Sequence, residues 1–171
     1  MKRVLFQLIT VLVAISFSTN GQTPDKKLYV GTFTSGEANG IYLCNFDSNT
    51  GKLSLEAEFK GIDNPNFLKI SPDKKSLYVA TRPPAKIEKS GGYINAYKID
   101  SKGMLHFLNK QVSHGNDPCY VDITEDGKFV ATATYGGGSI SIYPVKNDGS
   151  IFPASSIVYF EGSGPNKDRQ S

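Results

Sequence analysis

At 171 residues the chain is long enough for one domain with a sizeable core. Its 39% hydrophobic and 20% charged content excludes a disordered chain. A net charge of +3, with no long basic run, argues against nucleic acid as a partner.

The first 21 residues have the layout of a secretory signal: Lys2 and Arg3, an apolar run from Val4 to Phe17, then small polar residues from Ser18 to Thr23. Cleavage is expected before Gln22. The apolar run is about fourteen residues, short of the ~20 that span hydrocarbon, so no stable membrane anchor is expected. No cysteine follows it to carry a lipid. The mature part, residues 22–171, is therefore expected to be exported, periplasmic or extracellular.

The mature chain repeats itself. The stretch from Asn64 (Asn64-Pro65-Asn66-Phe67-Leu68-Lys69-Ile70-Ser71-Pro72-Asp73) aligns without a gap with that from Asp117 (Asp117-Pro118-Cys119-Tyr120-Val121-Asp122-Ile123-Thr124-Glu125-Asp126), 53 residues on. Leu28-Tyr29-Val30-Gly31-Thr32 matches a later part of the same unit. A second element follows in each copy, at Ile41–Asp47, Ile94–Asp100 and Ile140–Val145. Each leads through a Gly-bearing turn, at Gly51, Gly103 and Gly149, to a further predicted strand near 53–59, 105–112 and 151–160. Tyr, Phe, Val and Ile fill these stretches, and no helical period with caps is present. Four short strands per unit of about fifty residues predict an all-β propeller built from four-stranded blades. A β-sandwich would not require near-copies of one unit.

Phe67–Ile70 and Cys119–Ile123 are expected innermost, packed on both sides. The first copy lacks that strand, so the chain is expected to hold about three blades of a larger ring, the remaining blades being missing from it. Cys44 and Cys119 lack metal-ligand spacing. A single disulfide is possible, and two buried free thiols are the preferred alternative.

Further stretches carry a resemblance. Tyr29-Val30-Gly31-Thr32-Phe33-Thr34, Asn64-Pro65-Asn66-Phe67-Leu68, Ala133-Thr134-Tyr135-Gly136-Gly137-Gly138-Ser139-Ile140 and, most specifically, Glu161-Gly162-Ser163-Gly164-Pro165-Asn166-Lys167-Asp168-Arg169-Gln170 resemble the seven-bladed β-propeller lactonases, whose named activity is 6-phosphogluconolactonase. The resemblance covers residues 28 to 171. It implies the fold and a metal-independent sugar-lactone hydrolase without cofactor. The partner would be a small sugar lactone or acidic sugar. A histidine-bearing segment follows Arg169-Gln170 in the family and is expected beyond Ser171. The family also includes muconate-type cyclases, and fold alone does not fix function.

The longer loops, joining strands two and three and linking successive blades, share one face, which is the candidate active face. Arg169 is the leading candidate there, as an anion holder or an oxyanion stabiliser. Gln170 and Asn166 would orient substrate or brace the loop. Tyr135 is a candidate ligand donor, Arg82 a candidate second cation on the same face, and His114 a candidate base. His106 is read as structural. No Ser-His-Asp set and no metal-ligand cluster is visible. A non-catalytic binding propeller and a cyclase remain alternative readings, and the chain alone is expected to be inactive. Sequencing the amino terminus of secreted protein should return Gln22 or a close neighbour; an intact Met1 on soluble cytosolic protein would contradict the export signal.

Overall fold

A computed structural model describes residues 26–83 and 91–166. The expected signal, residues 1–21, lies outside them. The described residues form three antiparallel sheets and no helix. The first comprises β1 (Lys26–Gly31), β2 (Ile41–Phe46) and β3 (Leu53–Phe59). The second runs in chain order through β4 (Pro65–Ile70), β5 (Ser76–Thr81), β6 (Tyr93–Ile99) and β7 (Leu105–Val112). The third contains β8 (Pro118–Ile123), β9 (Phe129–Thr134), β10 (Ser139–Pro144) and β11 (Ser156–Tyr159). These are three blades of a propeller, the first without its innermost strand.

Strand alternation builds the two seams between blades. In β5 every residue is buried, because both of its faces are covered. Leu77 and Val79 pack with Ile41, Ile62 and Tyr97 in the seam between blades one and two. Tyr78 and Ala80 point the other way, joining Ile94, Ala96, Val121, Val130, Tyr143 and Ile151 between blades two and three. A strand with period-two side chains can serve two cores only if both neighbouring sheets are present.

The inner strands β4 and β8 lie side by side. Phe67 and Tyr120, equivalent in the repeat, bring their ring centroids to 4.7 Å. Lys69 and Asp122, also equivalent, form a 2.9 Å ion pair. These strands are less buried than the sequence leads one to expect. Phe67 and Leu68 are half-buried and Ile70 is exposed. As sheet edges they leave one side unpaired, toward the propeller axis, so the fully buried strand is β5. Both cysteines are free, but neither is buried: Cys44 is half-buried and Cys119 exposed. The last outer strand is also shorter than expected. Ile151 makes only an isolated bridge to Val145, and pairing resumes at Ser156. Pro153 stands between them, and proline has no N–H for the ladder.

On the tight-turn face a recurrent bond ties each blade to the next. The Tyr29 hydroxyl donates to the Gly103 carbonyl at 2.7 Å, and Tyr78, at the equivalent place one blade on, donates to Gly149 at 3.0 Å. Burial, aided by the nearby carboxylates of Asp100 and Glu56, pushes the Tyr29 phenol up to about 12, so it remains a donor. The inner hairpins repeat as well. Ser71 donates to Asp73 and Thr124 to Asp126, each at 2.6 Å. The Thr124 hydroxyl and then the Lys128 amide hold the Asp126 carboxyl down at about 2.

Lys74 and Gly127 occupy the same position in these hairpins, both left-handed, with φ of 61° and 71°. A side chain there costs about 1–2 kcal/mol, partly offset by the greater chain entropy that glycine loses on folding. Lys74→Gly should therefore raise stability by up to about 1 kcal/mol, and Gly127→Ala should lower it by about 1 kcal/mol, read from the urea midpoint at unchanged slope. Shifts of the same sign at both positions would contradict this.

Candidate functional site

The loops on the opposite face are bound across both seams by a repeated device. Asn64 and Asp117 are equivalent, each precedes a proline, and each is left-handed, with φ of 39° and 56°. Short amide and carboxylate side chains tolerate that conformation better than others, and a following proline disfavours the right-handed helical region. From this position each side chain reaches back to the preceding blade. The Asn64 Oδ1 accepts the Thr34 N–H at 2.8 Å, and its Nδ2 donates to the Arg82 carbonyl at 2.8 Å. The Asp117 Oδ1 lies 2.6 Å from Arg82 Nε. The Asp117 carbonyl in turn accepts the Tyr135 N–H at 2.9 Å.

The result is one connected line across three blades: Thr34, Asn64, Arg82, Asp117, Tyr135. Phe33, Arg82 and Tyr135 each follow the second strand of a blade, so they are equivalent positions presenting three different chemistries. Phe33 is 53% and Tyr135 64% exposed, and about half of the Arg82 side chain is accessible. Glycines let the loops meet. A Cβ on Gly137 would lie 2.6 Å from the Asn116 backbone nitrogen, so no side chain fits.

Bulges interrupt both inner strands near this rim. In β4 the pairing skips Asn66, and in β8 it skips Cys119 at the equivalent place. A bulge turns the extra residue out of the ladder and is common beside functional sites. The Asn66 Nδ2 donates to the Pro118 carbonyl at 3.0 Å, joining the two inner strands at their bulges.

The structure thus brings Arg82 and Tyr135 together through Asp117. His114 lies in the adjoining linker, left-handed with φ of 56°, at the position that Gly61 holds one blade earlier. Its ring stacks on Tyr143 with centroids 6.5 Å apart, in the seam between blades two and three, and its carbonyl accepts from Ser139. Asn166 is exposed in the segment after β11. Arg169 and Gln170 lie outside the described residues. His106, in the outer strand β7, pairs at 3.0 Å with Asp100. That bond, and then the Met104 amide, hold the Asp100 carboxyl down at about 2. Among the described residues no group of three His, Cys, Asp or Glu stands together as a metal site.

Asp117 and Asn66 are the residues that sequence reasoning missed. The signal available was the Asx-Pro pair recurring at the start of each inner strand. Two cavities lie elsewhere. One of about 720 Å³ sits beside Tyr93, Asn95 and Phe107 between blades one and two, and one of about 620 Å³ sits among the tight turns. Neither includes Arg82, Asp117 or Tyr135, which form an open rim, because three blades wall only part of a funnel.

Comparison with known proteins matches residues 27–171 to the lactonase, 7-bladed beta-propeller family. A Bacillus subtilis 6-phosphogluconolactonase is 34% identical over 145 residues, covering 83% of this chain and 40% of that protein. A Bacteroides fragilis crystal structure superposes with a TM-score of 0.77 at 39% identity, over 90% of this chain and 41% of the other. A Pseudomonas aeruginosa periplasmic gluconolactonase gives a TM-score of 0.67 at 27% identity, over 77% of this chain and 38% of the other. The chain therefore spans about two-fifths of the length of these relatives. With its three sheets, its repeated seams and the family match along nearly all of the described chain, this protein belongs to the seven-bladed β-propeller lactonase family.

Proposed function

We propose that this chain forms part of an exported lactonase that opens a sugar lactone to the hydroxy acid on the loop face of the propeller. The observation that carries this reading is the family match over residues 27–171. The relative from Bacillus subtilis carries the 6-phosphogluconolactonase name, and the Pseudomonas aeruginosa neighbour is a periplasmic gluconolactonase. The second of these supports export, which the first 21 residues of this chain call for.

The chemistry asked of the site is ester hydrolysis. Water adds to the ring carbonyl while a base removes its proton. The carbonyl electrons move to oxygen, then return as the ring C–O bond breaks. The ring oxygen takes up a proton, and the product acid releases one at neutral pH. Two protein functions suffice: a base near the water and donors toward the developing oxyanion. Metal is not required for either. Arg169 is assigned to the oxyanion or to an anionic substituent of the substrate, with Gln170 and Asn166 beside it. The rim residues Arg82 and Tyr135 are assigned to substrate. His114 is the base candidate within this chain, although its stacking on Tyr143 supplies no carboxylate to orient it. That last observation favours, as the second reading, an exported propeller that binds acidic sugars without hydrolysing them.

The two separate in a pH-stat assay with D-glucono-δ-lactone and its 6-phosphate. The measurement uses a whole seven-bladed protein carrying this chain, and the 171-residue chain alone. The whole protein should release one proton per lactone opened, and Arg169→Ala should slow it by roughly a hundredfold or more without loss of fold. The chain alone should be inactive, because misplaced groups cost on the order of a hundredfold even when present. Binding of 6-phosphogluconate without hydrolysis of either lactone would replace the enzyme by the binding module.

A further inference from the structure

We propose that Asp117 is a positioning residue that holds Arg82 as the cation selecting acid-bearing lactones over neutral ones. This rests on the lactonase reading and adds to it which group sets substrate charge preference.

The argument starts from a comparison within the chain. Asn64 and Asp117 do the same mechanical work at successive seams, each reaching back from a left-handed backbone to the loop after the preceding blade's second strand. Asn64 does it as a neutral amide, so the seam does not require a charge. At the second seam the acceptor is a carboxylate, and what it meets is a guanidinium at 2.6 Å. An ion pair this open to water adds little stability, typically under ~1 kcal/mol. Its physical consequence is orientation. A planar guanidinium held at Nε has a fixed plane, and such a fork recognises carboxylate or phosphate through parallel bonds.

The surroundings restrict Arg82 further. Its N–H donates to the Asn64 carbonyl at 3.3 Å and its carbonyl accepts from Asn64 Nδ2 at 2.8 Å, so the backbone is clamped on both sides. Pro83 follows and is buried. Asp117 is fixed between Pro118 and the 2.9 Å bond from Tyr135 N–H to its own carbonyl. Gly136 leaves its carboxylate room, since a Cβ there would come within 3.1 Å of Oδ2. Tyr135, 64% exposed, is tied to the same Asp117 through its backbone N–H. Of the three equivalent rim positions only this one is charged, Phe33 and Tyr135 being the others. A cation clamped at backbone and side chain, yet about half accessible, is arranged for an anion that arrives from solvent. The anion would be a phosphate or carboxylate on the sugar, remote from the ester that reacts. Such a contact is equal in ground and transition states and therefore appears in KM rather than kcat.

The test compares KM and kcat for D-glucono-δ-lactone and its 6-phosphate in a whole seven-bladed protein carrying this chain. Arg82→Ala should raise KM for the phosphorylated lactone by about tenfold to a hundredfold, the scale of a lost charged hydrogen bond, and by several times more than it raises KM for the neutral lactone. Asp117→Asn retains a residue that tolerates the left-handed backbone, as Asn64 shows one blade earlier, and removes only the charge. It should raise the same KM selectively, by about threefold to tenfold, with the melting temperature unchanged. Arg82→Lys should recover part of the loss. Equal effects on both lactones would overturn the inference and leave lactonase activity standing. Tighter use of the phosphorylated lactone by Asp117→Asn would also overturn it, because the carboxylate would then be masking the cation. If the unaltered protein opens neither lactone, the lactonase reading fails. Calorimetric binding of 6-phosphogluconate to the same variants then decides the anion site: selective weakening by Arg82→Ala and Asp117→Asn upholds it, and unchanged binding overturns it.

Discussion

Asn64 and Asp117 each stand at a left-handed backbone position before a proline and reach across a seam to the preceding blade. The cost of that conformation to a non-glycine residue is of order 1 kcal/mol, and the side-chain bonds made from it offset the cost. The Thr34, Arg82 and Tyr135 positions of the loop face are tied to these two residues. Thr34, Arg82 and Tyr135 follow strands of three different sheets; Thr34 and the Arg82 side chain are held by Asn64 and Asp117 of the next blade, and the Tyr135 amide by the Asp117 carbonyl of its own blade. The tight-turn face has its own version, in which Tyr29 and Tyr78 donate to glycine carbonyls one blade on. Each seam is thus pinned at both ends and filled with apolar side chains between.

This arrangement explains how a repeat can carry a single site. Repeated units gain much of their stability from their neighbours, so the seams tolerate little change. The residue just after each second strand is free to differ because its side chain is exposed, while at Arg82 and Tyr135 the backbone is held by the Asx residue that opens the inner strand of the same blade. Phe33, Arg82 and Tyr135 occupy that position in turn. Differences at equivalent positions, set on an unvarying scaffold, are what give a propeller face an orientation toward a small asymmetric ligand.

Much of the architecture was legible in the sequence because it is local. The stretches from Asn64 and Asp117 announce the repeat, and Asp-Lys or Asp-Gly pairs mark the hairpins. The alternation of Leu77, Tyr78, Val79 and Ala80 was not read as a strand serving two cores. Nothing local says that neighbours lie on both sides of it. Burial of Ile70 and Cys119 was overestimated for the related reason that an inner strand is a sheet edge, with one side unpaired toward the axis. The break at Pro153 was visible as a proline but was passed over within an otherwise apolar run. For the site, Arg82 and Tyr135 were identified as single residues on the loop face. Asp117, which joins them, was missed, since its partner is 35 residues away in sequence and adjacent only across a seam. His114 drew notice as a histidine, whereas its place in the repeat is that of Gly61, and its ring packs on Tyr143.

The central claim is that the Asx residues before these prolines, not the loops themselves, order the loop face. The most direct measurement is native-state hydrogen exchange resolved to single amides. The Thr34 amide, in the loop from Phe33 to Gly40, is bonded to the Asn64 side chain, and the Tyr135 amide to the Asp117 carbonyl. The account predicts that both exchange at least about a hundredfold more slowly than unstructured amides, as strand amides do. It also predicts that Asn64→Ala releases Thr34 while leaving β1 protected. Exchange of Thr34 at the open-chain rate in the unaltered protein, or unchanged protection in Asn64→Ala, would contradict it.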